Sequence, residues 1–140
     1  MIILDTNILS ALMQKDPDVA VINWLDRVPV ESVWITTITL FEARYGLALL
    51  PEGKRRKSLI KIFEKIIVDD LDGRVLLFDQ AAAGQAAQLA ASRKKTGSTV
   101  DMRDTFIAGI ALAKRATIVT RNTRHFSDLR VDVINPWERG

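Results

Sequence analysis

The sequence contains no cysteine and one histidine, His125. Disulfides, zinc–thiolate sites and thiol nucleophiles are therefore excluded, and one imidazole is too few for a histidine-rich metal site. No apolar run approaches the ~18–20 residues that a bilayer-crossing helix needs. The opening Met1-Ile2-Ile3-Leu4-Asp5 lacks a basic segment and reaches an acid at once, which is not the pattern of a secretion signal. These absences lead us to expect a cytoplasmic protein with no membrane partner. An excess of one charge is missing too: 20 Lys and Arg stand against 17 Asp and Glu, a net charge of +3. That balance argues against a protein that coats nucleic acid by bulk charge, and makes the placement of the acids the informative question.

The 140 residues, 48% hydrophobic and 26% charged, have the size and composition of one folded domain. A chain of this length buries roughly 70% of its unfolded surface, enough for a real core. No linker, repeat or low-complexity tract divides residues 1–140. Apolar runs of strand length alternate with helical patterns. Ile2-Ile3-Leu4 has the continuous character of a buried parallel strand and ends at Asp5. Thr6-Asn7 offers cap chemistry for a short helix through Met13, and Asp16 with Pro17 opens a second. The pattern predicts further strands over 32–36, 75–78, 117–120 and 131–134, and helices over 37–50, 54–67, 80–95 and 101–115. Asp79 caps the alanine-rich helix at 80–95, expected to be a close-packed core helix, and Gly97 ends it. Such alternation predicts an α/β domain: a mostly parallel sheet of four to five strands with helices on both faces. Sheets of this kind bind ligands outside the carboxyl ends of their strands.

Asp5 sits where that rule places chemistry, and Asn122 follows the strand at 117–120. Asp104 lies in the first turn of its helix, just before Phe106, Ile107 and Ile110, which are expected to face the core. Glu42 stands at the edge of an apolar stripe, Ile38, Phe41, Tyr45 and Leu49, also expected to face inward, where an acid needs a partner or a cation. Acid and amide groups far apart in sequence are thus placed to converge at one end of the sheet. A hard cation gives such a set its purpose, because Mg2+ takes oxygen ligands and is typically held by one or two carboxylates with several waters. Carboxylates crowded together without a cation repel, and one tends to stay protonated. Each residue also has a plain structural role open to it. Asp5-Thr6 is a possible strand-to-helix cap, Glu42 half of an ion pair, Asp104 a dipole-favoured helix start with Asp101 as its competitor, and Asn122 a turn residue.

In chain order, five runs carry a family likeness: Met1-Ile2-Ile3-Leu4-Asp5-Thr6-Asn7, Phe41-Glu42-Ala43-Arg44-Tyr45-Gly46, Asp104-Thr105-Phe106-Ile107-Ala108-Gly109-Ile110-Ala111, Ile118-Val119-Thr120-Arg121-Asn122-Thr123-Arg124-His125-Phe126 and Val133-Ile134-Asn135-Pro136-Trp137. With them the chain resembles the PIN-domain ribonucleases, in particular VapC-type toxins of the FitB-like branch of toxin–antitoxin modules. The resemblance spans essentially the whole chain. It implies metal-dependent endoribonuclease activity on single-stranded RNA, with Mg2+ or Mn2+ in an acidic pocket and a metal-activated water attacking the phosphodiester. Asp5 and Asp104 match the primary metal-binding aspartates, and Glu42 the glutamate that completes the pocket through metal-bound water. Asn122 falls where many relatives have a fourth aspartate; an amide can orient water but cannot act as a base, which bears on a second metal more than on the first. Thr120 matches a frequent Ser or Thr that hydrogen-bonds within the pocket. The resemblance further implies a homodimer and a small VapB-like antitoxin whose C-terminal segment lies across the groove.

Arg121 and Arg124 flank Asn122 and are the leading candidates for holding RNA at the site, with Arg93, Lys94 and Lys95 as further ones. Lys54, Arg55, Arg56, Lys57, Lys61 and Lys65 place a basic face on one helix, read as a solvated surface or as phosphate contacts. His125 is read as structural, and Trp24, Trp34 and Trp137 as core or interface anchors. Two other functions compete. A phosphatase with an aspartate nucleophile after the first strand wants a second Asp two residues on, where this chain has Asn7. A non-catalytic PIN-like module that binds RNA or protein is favoured only by Asn122.

Overall fold

The computed structural model describes residues 1–138. The elements run β1 (Ile2–Leu4), α1 (Thr6–Leu12), α2 (Val19–Asp26), β2 (Val33–Thr36), α3 (Thr37–Leu49), α4 (Lys54–Lys65), β3 (Val75–Leu76), α5 (Gln80–Lys95), α6 (Met102–Lys114), β4 (Thr117–Val119) and β5 (Val133–Ile134). The five strands form one sheet in the order β3-β2-β1-β4-β5, with every pairing parallel. This is the predicted α/β architecture. β1 is central, with Ile2 and Ile3 opposite Val33 and Trp34 on one side and Thr117 and Ile118 on the other. From β1 the chain builds outward through β2 and β3, then returns to place β4 on the other flank. The order therefore reverses between β1 and β4, and the crevice at a parallel sheet's carboxyl edge lies at such a reversal.

Strand alternation divides the core between the two faces. Leu4 and Val119 join Ile8, Leu9, Val21, Ile35, Phe63, Ile66 and Ile67 on one side. Ile3 and Ile118 join Ile107, Ala108, Ile110, Ala111 and Phe126 on the other. The second side includes the interface of α5 with α6, where Ala82 and Ala86 face Gly109 closely. Trp24 and Trp137 pack against the first cluster and Trp34 against the second, as anchors should. Among the described residues no helix is long and apolar enough to cross a membrane.

Three expectations need correction. α2 begins at Val19 with Asp18 as its cap, in place of a start at Asp16-Pro17. The Asp18 carboxylate accepts from the Ala20 N–H at 2.9 Å and from Trp137 Nε1 at 2.9 Å, and these two bonds fix where the helix can begin. α4 ends as an α-helix at Lys65 and widens into a π-turn over Ile66–Asp70. Most consequentially, the stripe on α3 points outward beyond Ile38, which packs against the second cluster as expected: Phe41, Tyr45 and Leu49 are 59%, 52% and 67% exposed, and the Phe41 and Tyr45 rings stack at 5.9 Å. The buried side of α3 carries Thr39 and Leu47, with Leu40 and Ala43 packed against the core. Thr36 Oγ1 accepts from the Thr39 N–H at 3.2 Å, and this cap turns the hydroxyl side of the helix toward the sheet edge.

Candidate active site

The carboxyl end of β1 delivers Asp5 to the crevice. Its N–H donates to the Val119 carbonyl at 2.9 Å, continuing the β1–β4 ladder one residue beyond the strand. Asp5 is 5% exposed, and both carboxylate oxygens accept hydrogen bonds. Oδ1 accepts from the Thr6 N–H at 2.8 Å, and Oδ2 accepts from the Thr120 hydroxyl at 2.8 Å and Asn7 Nδ2 at 3.3 Å. Burial pushes this carboxyl above its ordinary value, the bonds from Thr120 and Thr6 oppose the rise, and the Asp104 charge adds to it. Asn7 also locks the neighbouring loop, because its Oδ1 accepts from the Arg121 N–H at 3.1 Å.

Asp104 enters from α6, where the Asp101 side chain caps the helix by accepting the Asp104 N–H at 3.1 Å. Partial burial raises the Asp104 carboxyl, the charges of Asp101 and Glu42 add to that, and His125 opposes it. His125 Nδ1 lies 2.7 Å from Asp104 Oδ2. Glu42 comes from α3: Oε1 accepts from the Thr6 hydroxyl at 2.8 Å, and Oε2 lies 3.4 Å from Arg103 Nη1. Asp5, Glu42, Asp104 and Thr120 are therefore gathered at one edge of the sheet.

The other expected residues are placed differently. Asn122 donates its N–H to Thr120 Oγ1 at 3.0 Å, and its exposed side chain makes no hydrogen bond among the described residues. Arg121 lays its guanidinium over the Trp137 ring at 4.5 Å. Arg124 is exposed and lines a cavity of about 380 Å3 with Asp101, Asp104 and His125. Arg93 is removed from the list of RNA contacts. It is 7% exposed, pairs with both Asp128 oxygens at 2.9 Å, and donates to Thr105 Oγ1 and to the His125 carbonyl.

This buried arginine ties α5 to α6 and to the loop after β4. Arg93→Met should destabilise the fold by about 2 kcal/mol, below the usual loss for a buried pair because Asp128 is itself half exposed. Urea unfolding measures it.

Thr6, Asn7, Arg103 and His125 are site residues that sequence reasoning did not assign. Thr6 and Asn7 were visible as cap residues and in the first run of the family likeness, without a role in the pocket. His125 had a weak signal in its place on the loop beyond a strand's carboxyl end.

The donor set fits a hard divalent ion of modest protein coordination. Among the described residues no three Asp, Glu or His side chains come close enough together to hold a cation directly. Asp5 and Asp104 are near enough for the Asp104 charge to add to the rise of the Asp5 carboxyl. One or two carboxylates with several waters is the ordinary protein coordination of Mg2+. Asp5 and Asp104 are the carboxylates available for it, and Glu42 is held by Thr6 and Arg103.

A parallel sheet with one aspartate just past its first strand and another in the first turn of the last α-helix, at the point of strand reversal, defines the class. Residues 2–131 match the PIN domain model, and the chain belongs to that family. Along its length it is similar to the VapC ribonuclease Y4jK of Sinorhizobium fredii, 41% identical over 138 residues, which covers 99% of each protein. It is 37% identical over 137 residues to Toxin FitB of Neisseria gonorrhoeae, covering 98% of this chain and 99% of that protein. The crystal structure of FitAcB from Neisseria gonorrhoeae superposes with a TM-score of 0.90 at 37% identity, over 99% of this chain and 100% of that one.

Proposed function

We propose that the protein is an endoribonuclease toxin that hydrolyses RNA phosphodiester bonds with the help of a divalent cation. The observation that carries this reading is the placement of a buried Asp5 just past the central strand, with Asp104 entering beside it from the first turn of α6, at the sheet's point of reversal. The similarity to a VapC ribonuclease and to the toxin FitB supports it. Asp5 and Asp104 would hold Mg2+ or Mn2+, which supplies a water of lowered pKa and offsets charge at the phosphate. Thr120, Asn7 and the Thr6 amide fix the Asp5 carboxylate, so its lone pairs keep their direction. Glu42 and Thr6 form the opposite wall and orient water. Arg124 is exposed at the mouth of the site, where it can contact the RNA backbone. Asn122, with its free amide, is assigned to water or substrate, and Arg121 to the substrate strand. The expected products carry a 5′-phosphate and a 3′-hydroxyl.

A toxin that cuts RNA in its own cell needs a neutralising partner, so a VapB-like antitoxin and a cytoplasmic location belong to the same proposal. A groove of about 640 Å3, with Met13, Leu47, Leu59 and Ile62 on its walls and Thr6 and Glu42 at its end, supports a bound antitoxin segment. The exposed Phe41, Tyr45 and Leu49 offer an apolar face for a homodimer.

A metal-titrated cleavage assay tests the enzymatic core. Single-stranded RNA should be cut in Mg2+ or Mn2+ and left intact in EDTA, with 5′-phosphates on the sequenced ends. RNA bound without cleavage at every metal concentration would establish the non-catalytic binding module instead.

A further inference from the structure

Arg103 stands in the first turn of α6, next to Asp104, and reaches across to α3. Its Nη1 is 3.4 Å from Glu42 Oε2, while the other Glu42 oxygen holds the Thr6 hydroxyl. Arg124 lines the cavity beside Asp104 with no carboxylate partner among the described residues, and two other nearby arginines are engaged elsewhere. Arg93 is buried against Asp128, and Arg121 lies over Trp137. Arg103 is thus the arginine whose partner, among the described residues, is a pocket acid.

Two properties make this pairing exchangeable. The Arg103 side chain is 55% exposed, and a partly exposed ion pair at this distance is worth at most about 1 kcal/mol. The guanidinium is also a planar fork of donors, suited to phosphate oxygens as well as to a carboxylate. A divalent ion entering between Asp5 and Asp104 would lower the negative potential that holds Arg103 on Glu42. With or without the ion, an RNA strand at the pocket would offer phosphates to this weakly held side chain.

We infer that Arg103 is a substrate-binding residue that neutralises Glu42 when RNA is absent and takes an RNA phosphate when it is present. This rests on the ribonuclease reading. It gives Arg103 opposite effects on the two ligands: it competes with the cation and assists the RNA.

The test compares wild type with Arg103→Met and Arg103→Lys, each checked by circular dichroism. Mn2+ binding is measured by calorimetry without RNA. Binding of a fluorescent single-stranded RNA 12-mer is followed by anisotropy in EDTA over a salt series. Arg103→Met should bind Mn2+ about three- to fivefold more tightly, the factor matching loss of a weak competing ion pair. The same variant should bind RNA more weakly, with the slope of log K against log salt shallower by ~0.7, the signature of one lost phosphate contact on a single strand. Arg103→Lys, which keeps the charge, should restore the salt slope. Unchanged or weaker Mn2+ binding in Arg103→Met, or a salt slope that the Lys variant fails to restore, overturns the assignment of Arg103 alone. Wild-type protein that binds neither Mn2+ nor RNA overturns the ribonuclease reading and this inference with it.

Discussion

Asp5→Asn should slow RNA cleavage at least about 100-fold while leaving the fold intact. That factor is about 2.7 kcal/mol of barrier, within the several kcal/mol that a correctly held metal contributes. Structural survival follows from the hydrogen bonds. An amide oxygen can still accept from the Thr120 hydroxyl and Asn7 Nδ2, so the new NH2 displaces only the single bond from the Thr6 N–H, a loss of about 1 kcal/mol. A pH series adds a second readout. Because burial and Asp104 raise Asp5 above its ordinary value of 3.8, the folded state holds that proton more tightly than the unfolded chain does. Ionisation of Asp5 therefore costs folding free energy. The cost is absent below about 3.8 and complete above the raised folded value, so stability declines as pH climbs through that window. Urea unfolding in EDTA between pH 4 and 7 should show wild type losing stability relative to Asp5→Asn across this range. Added Mn2+ should return it to wild type alone, by about 2.7 kcal/mol at a hundredfold excess over its dissociation constant. Cleavage by Asp5→Asn at the wild-type rate would remove Asp5 from the site.

The contrast between Asp5 and the stripe on α3 shows which parts of the fold were legible in sequence. Asp5 was placed by a local rule: a buried strand ends, and the next residue lies at the carboxyl edge. Asp104 was placed in the same way by the start of its helix, and Asp79 caps where its spacing predicts, while Asp101, expected as a competitor of Asp104, is the cap of α6. Helical periodicity on α3 offered two candidate stripes, because Thr39, Ala43 and Leu47 share the i, i+4 spacing with Phe41, Tyr45 and Leu49. Hydrophobicity favoured the aromatic set, yet the structure buries the set with the hydroxyl. The Thr36 cap and the hydroxyl contacts among Thr6, Thr36 and Thr39 decide the rotation, and the contact from Thr6 to Thr39 joins residues 33 positions apart.

Arg93 and His125 were misjudged for the same reason. Arg93 opens a run of three cations that looks like a solvated helix end, and only Asp128 and the His125 carbonyl, brought close by folding, give it a buried role. His125 became a site residue through its contact with Asp104, from an element 21 residues earlier. Chemistry at strand ends is written locally. Which side chains reach it is decided by tertiary pairing.

That tertiary pairing has a weak point at Gly109, which sets the second large effect. A Cβ at residue 109 would sit 2.6 Å from the Ala82 carbonyl oxygen, 2.7 Å from the Ala86 Cβ and 3.0 Å from the Ala86 nitrogen. Two of these atoms are backbone, so no rotamer change relieves the contact, and α5 must move away from α6. Replacing glycine within a helix returns ~1 kcal/mol of helix preference, whereas overpacking of this kind costs roughly 1–3 kcal/mol. The clash wins because the backbone carbonyl cannot yield. Gly109→Ala should lose about 1–2 kcal/mol in urea unfolding, and Gly109→Val, with two further methyls to place, about 3 kcal/mol or more. Activity should fall further than stability explains. α6 carries Asp104 and α5 carries Arg93, so a shift between them moves one carboxylate against Asp5, and misplacement by about 1 Å can cost on the order of 100-fold. Gly109→Ala should therefore cut RNA about tenfold or more slowly at a temperature where it remains folded. Ala86→Gly in the same chain should recover only part of the loss, because it removes the Cβ contact and leaves the two backbone atoms in place. Wild-type stability and rate in Gly109→Ala would show that α5 and α6 can separate freely, and that their close approach does not position Asp104.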